Sequence, residues 1–282
     1  MRLFQLTRHS LTAPQKIMSE TAEVILYYES GSVPSLSLMI ALEEKGIEYT
    51  TKEVDPDKPS KEFKKLNPRE EIPVLKHGDV VLPEFLAACI YLEETFGGTK
   101  LIPDDITSEA LVLQRMFSAQ SIGVGDTTIC SYWADYDDDE EDDGQEDEED
   151  EFEDPDEEDA KTDLAEELEI WEEYLKEEGG PFIAGKEFTM ADVSFFPVLA
   201  YVVWMGFQPK KAYPNLNDYY LAVRDRPTVQ DVWPADWNKP SPEKEFLYLD
   251  EYLEEEEEEE KPKDKTKAKT KGKWKGKGKG KK

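Results

Sequence analysis

The chain has 282 residues and a formal net charge of -32, with 38% hydrophobic side chains, and so acidic a surface excludes general binding to the phosphates of nucleic acid. Cysteine occurs twice, as Cys89 and Cys130, which excludes a disulfide framework and predicts a reducing compartment. No apolar run reaches the length of a membrane span, so no transmembrane segment is predicted. Cys89 lies in an apolar stretch and is interpreted as a small buried hydrophobe.

Short strands alternate with helices in the first third of the chain. The predicted elements are a strand at 24–28, a helix at 35–45, a strand at 49–54, a helix at 60–66, a hairpin of strands at 74–76 and 80–82, and a helix at 84–96. Gly46 follows the first helix, in a position that favours glycine. The order β-α-β-α-β-β-α predicts an α/β domain over residues 23–97.

The rest of the chain is predicted to be an all-α domain over residues 105–250, after a linker at 98–104. The predicted helices span 107–133, 160–178, 189–205 and 215–225. In the second of these, Leu164, Leu168 and Trp171 recur at helical spacing and form one apolar face. The third is apolar on all sides, which is typical of a central, buried helix.

Three charged or polar segments interrupt this plan. Residues 135–159 hold 20 acidic side chains in 25 positions and are predicted to be a disordered insert, because such a run buries no apolar surface. Residues 251–282 join a run of glutamates to a lysine-rich tail, also predicted to be disordered. Residues 1–22 form an N-terminal extension, for which a mitochondrial leader or a second start at Met18 are the alternatives.

Three stretches of sequence carry a family resemblance. They are the strand, turn and helix at 27–35, the stretch at 67–75 with Glu84 and Phe85 after it, and the stretch at 182–192. Together they resemble the cytosolic glutathione transferase superfamily, and 39–45, 114–117 and 226–228 most resemble its rho class. The resemblance implies a thioredoxin-like domain followed by a helical domain, glutathione as co-substrate, a homodimer and a cytoplasmic location.

Ser32 is the residue on which the resemblance places activation of the glutathione thiol. A hydroxyl at the start of a helix stabilises a thiolate by a hydrogen bond, helped by the helix dipole. Tyr28 is the alternative donor, because tyrosine-type transferases carry a tyrosine near the end of this strand. A simpler interpretation is that Ser32 only caps the helix.

The resemblance also implies the residues that bind glutathione. Pro73 is expected to form a cis peptide with Ile72, whose backbone pairs with the cysteinyl part of glutathione. Glu84 is expected to accept from the γ-glutamyl ammonium. The family usually places serine or threonine next, but Phe85 keeps only the backbone amide and loses the hydroxyl.

Glu70 is a second departure from the family pattern. It occupies a position that some members use for the glycine carboxylate of glutathione, and its charge would repel that group unless Lys64 or Lys65 intervenes.

Two further sets of residues are predicted in the helical domain. The hydrophobic substrate is expected near Phe117, Tyr132, Trp133 and Trp204, although aromatic residues at helical spacing more often belong to a core. Thr189 and Asp192 form a capping box, whose role is interpreted as structural.

The predicted function is conjugation of the glutathione thiolate to apolar electrophiles, a detoxification activity. The alternative is a non-catalytic interaction module of the same fold, favoured by Phe85, Glu70 and the charged segments. A basic partner of the acidic insert is a further expectation. The lysine-rich tail is expected to fold back on the insert, with RNA and an anionic membrane surface as the alternatives. No residue pattern predicts a metal site; the acidic block lacks the spaced ligands of a calcium loop.

Overall fold

The computed structural model describes residues 22–124, 127–129, 157–242, 244–247 and 249. The predictions for the N-terminal extension, for most of the acidic insert, for Cys130 and for the charged tail lie outside these residues. None of the helices in the described ranges is long and apolar enough to cross a membrane.

A four-stranded mixed sheet organises the first domain. The strands are β1 (Val24–Tyr28), β2 (Thr50–Glu53), β3 (Val74–His77) and β4 (Val80–Leu82). Their order in the sheet is β2-β1-β3-β4, with β1 parallel to β2 and antiparallel to β3. The register pairs Tyr27 with Val74, so the residues that follow β1 and those that precede β3 meet at one edge of the sheet.

The helices of this domain begin where the sequence supplies caps. They are α1 (Val33–Lys45), α2 (Lys61–Leu66) and α3 (Phe85–Thr95). Ser60 caps α2 by accepting from the backbone N–H of Phe63 at 3.1 Å. Gly46 ends α1 at φ 64°, a left-handed conformation in which glycine has no Cβ penalty. The predicted order of strands and helices is therefore confirmed.

The second domain is helical, as predicted. Its helices are α4 (Ile106–Ser118), α5 (Glu157–Glu178), α6 (Met190–Trp204), α7 (Pro214–Arg224) and the short α8 (Pro227–Gln230). The central helix α6 is buried over nearly its whole length and packs against α1 and α4. Trp171 of α5 stacks on Phe195 of α6, with ring centroids 4.0 Å apart. One continuous core therefore joins both domains.

The helix predicted over 107–133 is wrong over residues 119–124 and 127–128, and its last part, 130–133, lies outside the described residues. After α4 the chain forms a single 3-10 turn, Ala119–Ser121, and then two short antiparallel strands, β5 (Gly123–Val124) and β6 (Thr127–Thr128). The Ser121 hydroxyl donates to the carbonyl of Ser118 at 2.8 Å, which competes with helix continuation. The β-branched residues that follow favour strand pairing.

The predicted acidic insert is also too long at its C-terminal end. Helix α5 begins at Glu157, so the last three residues of the predicted range 135–159 are helical. Ala160 and Leu164, 7% and 0% exposed, anchor this helix to the core, and one turn of helix precedes them.

Candidate functional site

The turn between β1 and α1 positions Ser32. Ser32 is 3% exposed, and its Oγ accepts a hydrogen bond from the backbone N–H of Ser35 at 3.3 Å. Ser32 therefore caps α1, as the simpler interpretation expected. A hydroxyl has one proton to donate and two lone pairs, and capping uses only a lone pair. Helix capping and hydrogen bonding to a thiolate are thus compatible in the same side chain.

A residue from the far end of the chain covers this turn. Gly31 has φ +87°, a conformation that side chains rarely adopt, and a Cβ built on it would lie 3.7 Å from Nε1 of Trp237. Trp237 belongs to a 3-10 turn, Ala235–Asn238, near the end of the described residues. The turn that carries Ser32 is therefore fixed both by its own glycine and by packing against the helical domain.

A cavity of about 260 Å³ opens beside Ser32. One wall comes from the first domain and includes Tyr28, Leu36 and Tyr49, and the other is the segment 231–235, with Asp231 and Trp233. No lysine, arginine or histidine is among the described residues that line it. The cavity is therefore largely uncharged apart from one carboxylate, and it lies between the two domains.

Tyr28, the alternative thiol activator, shares this cavity. Burial raises its pKa, and the nearby Glu53 raises it further. The raised pKa keeps this phenol protonated, so Tyr28 retains a proton that it can donate and stays the alternative to Ser32.

The peptide between Ile72 and Pro73 is cis, as the resemblance implied. Pro73 is buried, and Ile72 is partly buried. Since Val74 pairs with Tyr27, this turn lies at the same edge of the sheet as the turn that carries Ser32. The sheet register thus brings the two predicted contacts with the cysteinyl part of glutathione to the same edge.

Glu84 and Phe85 face opposite environments at the start of α3. The Glu84 side chain is 66% exposed and does not cap the helix, and its Oε1 lies 3.5 Å from Nη1 of Arg69. Phe85 is 7% exposed and packs in the core that joins the domains. Phe85 is therefore held by packing and offers the site no polar side-chain group.

Glu70 is neutralised by a neighbour. It has φ 65°, and its Oε2 lies 2.6 Å from Nζ of Lys64, on the facing helix α2. Lys64 is thus the lysine that intervenes, and the expected repulsion of a glycine carboxylate by Glu70 is reduced.

The predicted contacts for the hydrophobic substrate are not brought together. Phe117 is 51% exposed on α4 and lines neither the cavity beside Ser32 nor the one that contains Trp204, and Tyr132 and Trp133 lie outside the described residues. Trp204 lines a different cavity, of about 510 Å³, together with Trp233 and Trp237. Its indole N–H donates to the carbonyl of Lys239 at 2.9 Å.

Sequence reasoning missed Trp233, which lines both cavities. Its ring contacts Trp237 edge to face, with centroids 5.6 Å apart, and Trp237 stacks on Trp204. Two tryptophans four residues apart, with a proline between them, are an unusual signal in a segment without helical periodicity. That signal was the only local sign of this aromatic cluster.

The capping box of α6 is present, as predicted. Asp192 accepts from the backbone N–H of Thr189 at 2.8 Å, from its hydroxyl at 3.0 Å, and from the N–H of Ile183 at 2.9 Å. Burial raises the pKa of Asp192 to about 6, against the opposing effect of these hydrogen bonds. The role of this box is to hold the loop before α6.

Neither the buried cysteine nor the acidic and histidine side chains add a reactive or metal-binding group among the described residues. Cys89 is fully buried, and burial raises the pKa of its thiol to about 12, which leaves it protonated and unreactive. Among the described residues, no group of three or more histidine, cysteine or acidic side chains is arranged to hold a metal ion.

The comparisons with known proteins agree with this architecture. A family model for the glutathione S-transferase N-terminal domain matches residues 32–95, and one for the C-terminal domain matches 144–232. Glutathione S-transferase A of Pleuronectes platessa is 37% identical over 221 residues, which cover 76% of this chain and 93% of that protein. Glutathione S-transferase 1 of Dianthus caryophyllus is 32% identical, over 72% of this chain and 89% of that protein.

A solved structure gives the same result. The glutathione S-transferase of the Antarctic clam Laternula elliptica is 36% identical and superimposes with a TM-score of 0.67, over 81% of this chain and 100% of that one. The rho class stays a prediction. At these identities and coverages the chain belongs to the glutathione S-transferase superfamily.

Proposed function

We propose that the protein is a glutathione transferase that joins the glutathione thiolate to apolar electrophiles. The observation that carries this proposal is the placement of Ser32: a buried hydroxyl at the start of α1, with its proton free of the capping bond, beside a cavity walled by both domains. The transferase names of relatives that align over most of the chain support the enzyme and not the non-catalytic module.

In the proposed reaction Ser32 donates to the glutathione sulfur and so lowers the pKa of the thiol. The thiol proton leaves to solvent. The thiolate attacks the electrophilic carbon and forms a carbon–sulfur bond, while the leaving group departs with its electron pair. The apolar electrophile would lie in the cavity beside Ser32, between Leu36 on one wall and Trp233 on the other.

Glutathione itself is positioned along the edge of the sheet. The backbone of Ile72, before Pro73, pairs with the cysteinyl part, and the Glu84 carboxylate accepts from the γ-glutamyl ammonium. The amide N–H of Phe85 donates to the γ-glutamyl carboxylate. A homodimer in the cytoplasm completes the proposal, on the basis of family membership.

The test compares the wild type with Ser32→Ala, and with Ser37→Ala as a matched control. Ser37 is also a buried serine of α1, but its hydroxyl donates to the carbonyl of Val33 at 3.1 Å. Glutathione affinity is measured by calorimetry, and turnover with 1-chloro-2,4-dinitrobenzene. We expect Ser32→Ala to lower kcat about a hundredfold, as for removal of one donor that stabilises a developing anion, with little change in glutathione affinity.

The ionisation of bound glutathione supplies a second readout. Thiolate absorbance followed against pH should show a higher thiol pKa in Ser32→Ala than in the wild type and in Ser37→Ala. Unchanged turnover in Ser32→Ala would move the activating role to another group, with Tyr28 the first to test. Absence of glutathione binding by the wild type at millimolar concentration would reject the enzyme.

A further inference from the structure

The γ-glutamyl end of the proposed site lacks one expected group. A serine or threonine hydroxyl at position 85 would face the carboxylate of the γ-glutamyl residue, but Phe85 is buried in the core. A carboxylate that gives up its hydration needs partners of comparable strength, and one backbone amide supplies only part of them. Some other group must therefore complete this end if glutathione binds well.

Arg69 is the cation best placed to do so. Its Nη1 lies 3.5 Å from Oε1 of Glu84 and 3.9 Å from Oε2 of Glu71, and its side chain is 70% exposed. The contact with Glu84 is at the limit of a hydrogen bond, and exposed pairs of this kind contribute little to stability. The guanidinium thus retains most of its donors for a ligand.

The backbone beneath Arg69 is firmly held. The N–H of Arg69 donates to Oδ1 of Asn67 at 3.1 Å, and Nδ2 of Asn67 donates to the carbonyl of Glu71 at 2.9 Å. Asn67 is 2% exposed, so it braces this loop from inside. The loop therefore fixes where the Arg69 side chain begins, while its tip stays free to turn towards a ligand.

The charges match the ligand. The γ-glutamyl residue of glutathione carries an ammonium and a carboxylate on the same carbon, and Glu84 and Arg69 present an anion and a cation side by side. We propose that Arg69 and Glu84 bind this zwitterion together, with Arg69 providing the carboxylate contact that the side chain at position 85 does not provide. Bidentate pairing of arginine with a carboxylate supplies both affinity and orientation.

The surrounding acids increase the need for a cation at this end of the proposed site. Glu71 and Glu84 both lie near the Arg69 guanidinium, and a ligand carboxylate that approached them without Arg69 would be repelled. This inference rests on the proposed function, because it names a binding residue for glutathione.

The test measures affinity by calorimetry for three ligands: glutathione, 4-aminobutyryl-Cys-Gly, which lacks the γ-glutamyl carboxylate, and glutaryl-Cys-Gly, which lacks the ammonium. We expect Arg69→Gln to weaken glutathione binding about tenfold and to leave 4-aminobutyryl-Cys-Gly nearly unchanged. Glu84→Gln should weaken glutathione and leave glutaryl-Cys-Gly nearly unchanged. Arg69→Lys should be intermediate, since it keeps the charge but not the planar fork.

Arg224→Gln is the matched control. Arg224 also pairs with an exposed acid, Asp225, but lies on α7, and its loss should change none of the three affinities. The inference is overturned if Arg69→Gln binds glutathione as the wild type does, or if it loses the same factor for 4-aminobutyryl-Cys-Gly. If the wild type binds no glutathione, the proposed function fails and the inference fails with it; that result differs visibly from an unaffected Arg69→Gln.

Discussion

At the thiol end of the candidate site, Ser32 is 3% exposed and its turn is covered by Trp237; at the γ-glutamyl end, the side chains of Arg69 and Glu84 are 70% and 66% exposed. A buried polar group such as that of Ser32 has hydrogen-bond partners that are fixed by the fold, so a substitution there alters both stability and the geometry of the site. Exposed polar groups such as those of Arg69 and Glu84 can replace their protein partners by water or by a ligand. Changing them should alter affinity and its salt dependence but little else.

The largest effect is expected where a polar group is buried most completely. Asp192 accepts three hydrogen bonds from the loop before α6, and in Asp192→Asn the amide NH₂ would face donors. We expect the free energy of unfolding to fall by about 3 kcal/mol. Urea unfolding measures this, with Asp218→Asn, an exposed acid on α7, as a control that should change it by less than about 0.5 kcal/mol.

The difference in unfolding free energy between the wild type and Asp192→Asn should also depend on pH. Burial raises the pKa of Asp192 to about 6 from its ordinary value of 3.8, so the folded state binds the proton more tightly than the unfolded state does. The stability that this contributes is present below pH 3.8 and is lost as pH rises through about 6. The gap between the wild type and Asp192→Asn should therefore be wider at about pH 5 than at about pH 7.5. A gap that does not change with pH would contradict the raised pKa.

A middle-sized effect is expected at the pair that ties the two domains together. Arg226 donates to both carboxylate oxygens of Glu44, at 2.8 and 2.7 Å, and Thr228 donates to the same carboxylate. The Glu44 side chain is 6% exposed and that of Arg226 is 28% exposed. Arg226→Gln leaves Glu44 without its cation, and we expect a loss of about 2 kcal/mol in stability.

Arg226→Gln should also lower turnover, because Glu44 is on α1, which Ser32 caps, and Arg226 lies just before the segment that forms the other cavity wall. The double variant Glu44→Gln, Arg226→Gln is compared with the two single variants, and the stabilities should differ from additivity by a coupling energy of about 1 kcal/mol or more. Additive single effects would show that the pair does not link the domains.

The smallest effect is expected at Asp231, an exposed carboxylate on the cavity wall. Its negative charge repels both the thiolate and an anionic electrophile. It also helps to raise the pKa of Tyr49, for which burial and Glu43 are larger causes. Asp231→Asn should raise kcat/KM about threefold for the anionic electrophile 4-chloro-3,5-dinitrobenzoate. The rise should be smaller for 1-chloro-2,4-dinitrobenzene, which is uncharged. Asp236→Asn, nearby but outside the cavity wall, should change neither. Equal gains for both electrophiles would assign the effect to the thiolate alone.

Local patterns were enough to predict the first domain and the kind of the second. The strands and helices up to residue 97, the cap at Ser32 and the capping box at Asp192 all depend on residues close together in sequence. The cis peptide at Pro73 was expected from the family resemblance alone. The helix was mispredicted just after residue 118, over 119–124 and 127–128, because the apolar spacing there is ambiguous and β5 pairs with β6.

Contacts between distant residues could not be predicted in this way. The contact of Trp237 with Gly31, the cavity wall at Trp233 and the pairing of Arg226 with Glu44 join the two ends of the described chain. The exposure of Arg69 beside Glu84 depends likewise on how the loop before β3 meets the start of α3. Periodicity and capping signals carry no information about such pairs.

The distance along the chain between Glu44 and Arg226 also affects how soon during translation the proposed thiol-activating site can be completed. These residues are 182 positions apart, and a ribosome that adds about 5–20 residues per second needs on the order of 10–40 s to pass from one to the other. During that interval the nascent first domain has its serine but not the wall opposite it. The growing chain is thus kept from presenting a finished thiol-activating centre until translation is nearly past the helical domain.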